Sequence, residues 1–151
     1  DVLYRAQGQE IAIRASLRTG VSALRGLFLL LIHPGFGVST AWAYQRLGRY
    51  PRALQGERGR SGRLVAALQA GDPAVAARDF YNSLETPVFA KYPILELFQE
   101  FLRERGAVAA LMSGSGSSTF ALTRNRNEAE QLRSGFLERF GEECWTAVLP
   151  G

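Results

Sequence analysis

Six consecutive residues, Ser113 to Ser118, are all serine or glycine, and they sit between the apolar flanks Leu111-Met112 and Phe120-Ala121-Leu122. A stretch without one apolar side chain adds nothing to a core. It either tethers two independent units or turns the chain inside one. The flanks decide between these. Val108 to Met112 and Thr119 to Leu122 both read as strands, and a helical pattern lies close on each side. Flanks that short are not self-sufficient, so the run reads as a shaped turn. Gly114 and Gly116 open backbone angles closed to other residues. Successive N–H groups in such a turn form a concavity for anions, and serine hydroxyls add donors. An ordinary glycine-rich hairpin fits the spacing equally well, because glycine-rich matches are weak signals alone.

One domain suits the 151 residues, and a hydrophobic fraction of 46% supplies a real core and argues against disorder. The longest apolar run, Leu27 to Ile32, is far shorter than the roughly 18 residues of a membrane helix, so no membrane partner is expected. Cys144 is the single cysteine, which excludes an internal disulfide. With no secretion signal in view, the expectation is a cytoplasmic protein. The chain opens on Asp1 rather than Met, and we expect a preceding segment.

Of the 18 basic residues, 17 are arginine. The pI near 9.7 favours anionic partners such as nucleic acid, nucleotide or a phosphorylated metabolite. Arg46, Arg49, Arg52, Arg58, Arg60 and Arg63 form the densest cluster, opposed only by Glu57. Without an aromatic ladder it reads first as a solvated surface, and no specific nucleic acid is expected.

Residues 1 to 17 read as two extended pieces around Gly8, and Leu27 to Ile32 as a central strand. Ser39 or Thr40 caps a helix to about Leu47, Arg49 to Gly62 is a loop, and a short helix runs from Gly62 to Ala70. Asp72-Pro73 starts another helix. Pro93 opens one whose Ile94, Leu95, Phe98, Phe101 and Leu102 share a face, and Gly106 ends it. Asn127 with Glu130 resembles a capping box for the last helix, striped by Ala129, Leu132, Phe136, Leu137 and Phe140, and Glu143 to Leu149 closes the chain as a strand.

LMSGSGSSTFAL, residues 111 to 122, resembles the third, glycine-rich motif of the GHMP kinases (galactokinase, homoserine kinase, mevalonate kinase and phosphomevalonate kinase). HPGFGVSTAWAYQRL, residues 33 to 47, and FYNSLETPVFAKYP, residues 80 to 93, resemble two further elements of the branch acting on a cytidine-diphosphate-linked sugar alcohol. Asp1-Val2 stands where that branch has its catalytic Asp-Val-Pro segment. The likeness covers most of this chain and the second half of a full kinase.

The resemblance implies transfer of the γ-phosphoryl group of ATP to the 2-hydroxyl of 4-diphosphocytidyl-2-C-methyl-D-erythritol, in the non-mevalonate isoprenoid route. A homoserine- or mevalonate-type kinase is the nearest alternative, and a non-catalytic ferredoxin-like ligand-binding domain the more distant one. It implies an α+β fold: a mostly antiparallel sheet with helices on one face, ferredoxin-like. Residues 1–25 would end an amino-terminal, ribosomal S5-like kinase domain, and residues 26–151 would form the C-terminal domain. ATP and Mg²⁺ would be held mainly by the missing amino-terminal domain, which carries the ATP loop, so the fragment alone would be inactive.

Asp1 matches the catalytic base, against an incidental terminal carboxylate. Tyr44 matches an aromatic stacked on cytosine, against helix packing together with Trp42; Thr40 matches a residue beside the substrate, against a helix cap. Gly114, Ser115, Gly116 and Ser117 would line the cleft and face phosphates, while Asn82 and Glu85 read as fixing local structure. No metal site is expected from the single histidine, His33.

Overall fold

The computed structural model describes residues 26–54 and 57–151. The first strand, β1, Phe28–His33, is the continuous apolar run, and it lies inside the sheet with a neighbour on each side. Strands β2, Ala109–Met112, and β3, Thr119–Thr123, form the hairpin around the Ser/Gly run, and β4, Trp145–Pro150, is last. The order is β2-β3-β1-β4, with every pair antiparallel. Register sets Leu30 opposite Ala121 and Val148, and Ile32 opposite Thr119 and Thr146. Side chains alternate across a strand, so these residues share one face.

Two long helices cover that face. The amphipathic segment after Pro93 forms one, Ile94–Glu104, and residues Arg126–Phe140 form the other. Leu95, Phe98 and Leu102 from the first meet Leu132 and Phe136 from the second over Leu30, Ile32, Ala110, Met112 and Ala121 of the sheet. Phe98 stands edge-on to Phe136 and Phe140, with ring centroids 4.7 and 4.8 Å apart. This strand–helix–strand–strand–helix–strand course, with helices against one face, is the ferredoxin-like α+β arrangement that the resemblance implied.

Among the described residues, in chain order, the helices are α1, Thr40–Leu47; α2, Pro51–Leu54; α3, Arg60–Gln69; α4, Pro73–Ala76, continued by a 3₁₀ turn at Ala77–Asp79; α5, Glu85–Lys91; α6, Ile94–Glu104; and α7, Arg126–Phe140. Two expectations change, and the choice between Ser39 and Thr40 as the cap of α1 is settled. The expected loop from Arg49 contains α2, which begins at Pro51 with its fixed φ and buries Ala53. The cap of α7 lies two residues earlier than the Asn127–Glu130 reading. Asn125 accepts from Glu128 N at 2.9 Å, while the Glu128 carboxylate accepts from Arg124 N at 3.0 Å. Both spacings are Asn-x-x-Glu, and the chain uses the one that begins two residues after β3 ends. Ser39 rather than Thr40 caps α1, accepting from Trp42 N at 3.3 Å. Among the described residues no helix is long and apolar enough to cross a membrane.

Phe136 is fully buried between α6 and the sheet. Phe136→Ala is expected to cost about 3–5 kcal/mol in urea unfolding, from lost transfer energy plus the cavity left behind. Leu97→Ala, at a residue 50% exposed on α6, is expected to shift stability by less than about 0.5 kcal/mol.

Candidate functional site

The Ser/Gly turn closes on itself through two main-chain bonds: Ser113 N donates to Ser118 O at 2.8 Å, and Gly116 N to Ser113 O at 3.0 Å. Gly114 and Gly116 take φ of 57° and 85°, the region glycine enters without steric cost. Gly116 has a second reason to be glycine. A Cβ there would come within 2.7 Å of the Met112 Sδ. The turn is therefore packed down onto the end of β2.

Side chains from the segment before α5, from the start of α5 and from α6 hold it in place. Asn82 Nδ2 donates to Met112 O and to Gly114 O, both at 2.8 Å. Its Oδ1 accepts from Leu84 N at 3.0 Å, so the amide is held at both ends. Glu85 Oε1 accepts from Met112 N at 2.7 Å and from Gln99 Nε2 at 2.6 Å. Arg103 Nη2 donates to Gln99 Oε1 and to Ala110 O, the latter at 2.7 Å. The reading of Asn82 and Glu85 as structural residues agrees with these bonds. Gln99 and Arg103 escaped notice. A signal existed, since Gln99 falls on the apolar stripe of α6 among Leu95, Phe98 and Leu102, where a buried amide needs partners.

The residues nominated from sequence come together in part. Thr40 Oγ1 and Ser115 Oγ lie 2.8 Å apart, joining the first residue of α1 to the turn across 75 positions of sequence. Tyr44 is one helical turn farther along α1, half-buried, and packs against the core as Trp42 does. Ser117 points inward: it is 2% exposed and its hydroxyl donates to Phe36 O. Ser113 and Gly114 are exposed, and Ser115 and Gly116 half-exposed. Asp1 lies outside the described residues, as do the strands expected before Gly26.

The turn thus offers an open surface with hydroxyls and main-chain amides. The amides of Gly114 and Ser115 have no hydrogen-bond partner among the described residues. Clefts of about 330, 420 and 470 Å³ lie elsewhere, and none of the three includes a residue of the turn. The last lies between α1 and α5, where Lys91 Nζ rests 4.4 Å from the Trp42 ring. Part of the arginine cluster is engaged internally. Arg63 reaches Asp79 at 2.7 Å and Glu57 at 3.0 Å, and Arg60 stacks over Tyr81.

Burial pushes the Glu85 carboxyl above its ordinary value, outweighing the Met112 N–H, the Gln99 amide and the Arg103 charge, which act to lower it. Relative to the unfolded chain, folding thus shifts this carboxyl toward its protonated form.

The sequence profile described as "GHMP kinases C terminal" matches residues 64–142. The 4-diphosphocytidyl-2-C-methyl-D-erythritol kinase of Synechococcus sp. (strain JA-3-3Ab) is 38% identical over 149 residues, spanning 94% of this chain and 48% of that kinase. The kinase of the same name from Nitratidesulfovibrio vulgaris (strain DP4) is 42% identical over 113 residues, 70% of this chain and 36% of that kinase. Among solved structures, homoserine kinase from Cytophaga hutchinsonii ATCC 33406 superposes with a TM-score of 0.68 at 24% identity, over 82% of this chain and 41% of that one. A 4-(cytidine 5'-diphospho)-2C-methyl-D-erythritol kinase superposes with a TM-score of 0.58 at 25% identity, over 82% of this chain and 43% of that one. The chain spans about half or less of the curated relatives it matches.

The raised Glu85 value has a definite sign. A folded pKa above the unfolded one gives stability that is present below the unfolded value and lost as pH rises through the folded one. Relative to Glu85→Gln, which keeps the acceptor but cannot ionise, the native protein is expected to lose stability as pH rises from about 4.3. Urea midpoints of the two proteins across pH check this, and parallel curves would contradict it.

Proposed function

The chain belongs to the GHMP kinases through their C-terminal domain, and on that premise we propose that it is the substrate-side half of an ATP-dependent kinase acting on 4-diphosphocytidyl-2-C-methyl-D-erythritol. The observation that carries this reading is the 2.8 Å contact of Thr40 with Ser115. It brings the start of α1 to a glycine turn whose Gly114 and Ser115 amides have no partner among the described residues, an arrangement suited to phosphate oxygens. The relatives at 38% and 42% identity bear that substrate in their names.

In this reading Tyr44 stacks on the cytosine ring, Thr40 lies beside the substrate, and the turn of Gly114, Ser115, Gly116 and Ser117 faces phosphate oxygens. Ser117 takes part through its main chain, because its hydroxyl is committed to Phe36. Asp1 takes the proton of the attacking 2-hydroxyl. That oxygen bonds to the γ-phosphorus of ATP, the bond from γ-phosphorus to the bridging oxygen breaks, and ADP leaves. Positioning and charge neutralisation supply most of the catalysis in such transfers.

ATP and the Mg²⁺ that travels with it test the donor set of this half. Among the described residues no group of three or more His, Cys, Asp or Glu comes together. These residues therefore do not fit a protein cage for the ion, and its ligands would be phosphate oxygens and residues of the amino-terminal half. The partner implied is that half, with the substrate lying between the two.

A coupled ADP-release assay on the full-length protein, comparing the cytidylated alcohol with homoserine and mevalonate, tests the reading. Turnover is expected with the first alone, and Asp1→Asn is expected to depress it with little change in substrate affinity. Tyr44→Ala is expected to raise KM for the cytidylated alcohol about tenfold, in line with ~1–3 kcal/mol for one stacked base. The KM for ATP should stay put; equal loss for both ligands would remove the stacking role.

A further inference from the structure

We propose that Asn82 and Glu85 are positioning residues for phosphoryl transfer, because together they set the direction in which the turn presents its free amides. The inference rests on the kinase reading above, and its geometry stands on the bonds around Met112.

In a trans peptide unit, such as those of Ser113–Gly114 and Gly114–Ser115, the C=O and the N–H of the next residue point in opposite directions. Asn82 Nδ2 draws the Gly114 carbonyl toward itself at 2.8 Å. The Ser115 N–H, on the same peptide unit, is thereby aimed away from Asn82. The Ser113 carbonyl accepts from Gly116 N inside the turn. The Gly114 N–H, on that peptide unit, is thereby aimed out of the turn. Neither amide has a partner among the described residues. The hydroxyls of Ser115 and Thr40 lie 2.8 Å apart, so a pair of hydroxyls is fixed beside them.

Without Asn82 two carbonyl oxygens would be released, and carbonyls rotated toward the open side would repel phosphate. Glu85 secures the other side of the same residue. By accepting from Met112 N at 2.7 Å it stops the end of β2 from twisting, and Gln99 fixes the carboxyl in turn. Gln99 is 1% exposed, so this support is built into the interior. Asn82 acts through main-chain carbonyls at and just before the turn, and Glu85 through the main-chain N–H at the end of β2.

Asn82→Asp removes the NH₂ donor at almost constant size. Misplaced donors in a transfer reaction cost on the order of 100-fold in rate. The full-length Asn82→Asp enzyme is expected to lose ~10- to 100-fold in kcat. The KM for one phosphate-bearing ligand should rise while the KM for the other is unchanged. Glu85→Gln, which keeps an acceptor for Met112 N–H, is expected to stay near native turnover, and Glu85→Ala to fall with Asn82→Asp. Phe136→Leu, in the core of α7, serves as a control of comparable instability and is expected to retain kcat well below its melting temperature. Both KM values unchanged, with kcat falling only as far as the folded fraction does, would overturn the proposal.

Amide hydrogen exchange supplies a readout independent of substrate. In Asn82→Asp the Ser113 and Gly116 amides should lose protection while those of β1 keep theirs. Native protection at both would overturn the positioning role whichever alcohol the enzyme accepts. Altered protection in a protein that phosphorylates none of the three alcohols would uphold the geometry and refute the kinase reading instead.

Discussion

Met112 is the residue at which core and turn are fastened together. Its side chain is 1% exposed in the helix-covered face, its N–H is taken by Glu85, and its carbonyl is taken by Asn82. The Sδ lies where a Cβ of Gly116 would have to go. One residue therefore joins the sheet, the segment before α5 and the glycine turn. A polar turn at a sheet edge is ordinarily free to move, since it buries nothing apolar. Here it inherits rigidity from the core beneath it. That rigidity lets a string of serines and glycines act as a surface of defined shape.

The arrangement has an electrostatic cost. Glu85 is removed from water far enough for burial to govern its ionisation, and three favourable partners only partly offset that. A purely apolar residue at position 85 would pack without this penalty, yet it would leave the Met112 N–H unsatisfied near the core. Buried polar groups are tolerated when they are paired, and Glu85, Gln99, Arg103 and the carbonyl of Ala110 pair one another in sequence from α5 through α6 to β2. These bonds tie the end of the hairpin to α5 and α6.

The fold was largely legible, because its signals are local. The apolar run around Leu30, the stripe of α6 and the short strands flanking the turn each carry their own periodicity. The capping reading at Asn127 slipped because Asn125 and Asn127 each have a glutamate three residues on, and local chemistry cannot choose between equal spacings. Helix α5 gave no such stripe; its start is fixed by Asn82, whose Oδ1 accepts from Leu84 N. The candidate site was legible in kind and less so in detail. Ser115 and Thr40 meet, whereas Ser117, identical in type and two positions away, turns its hydroxyl into the protein toward Phe36.

By itself the sequence determined a mixture of helices and strands, with the Ser/Gly run as a turn rather than a tether, because hydrophobic periodicity and glycine's freedom at positive φ are properties of short segments. Only the tertiary structure decided which donors of that turn remain open. Hydrogen-bond partners 30 and 32 residues away, at Asn82, capture its carbonyls, and a helix 75 residues away captures one of its hydroxyls. A hydrogen bond is satisfied by whatever lies within about 3 Å in space, and distance along the chain carries no record of that.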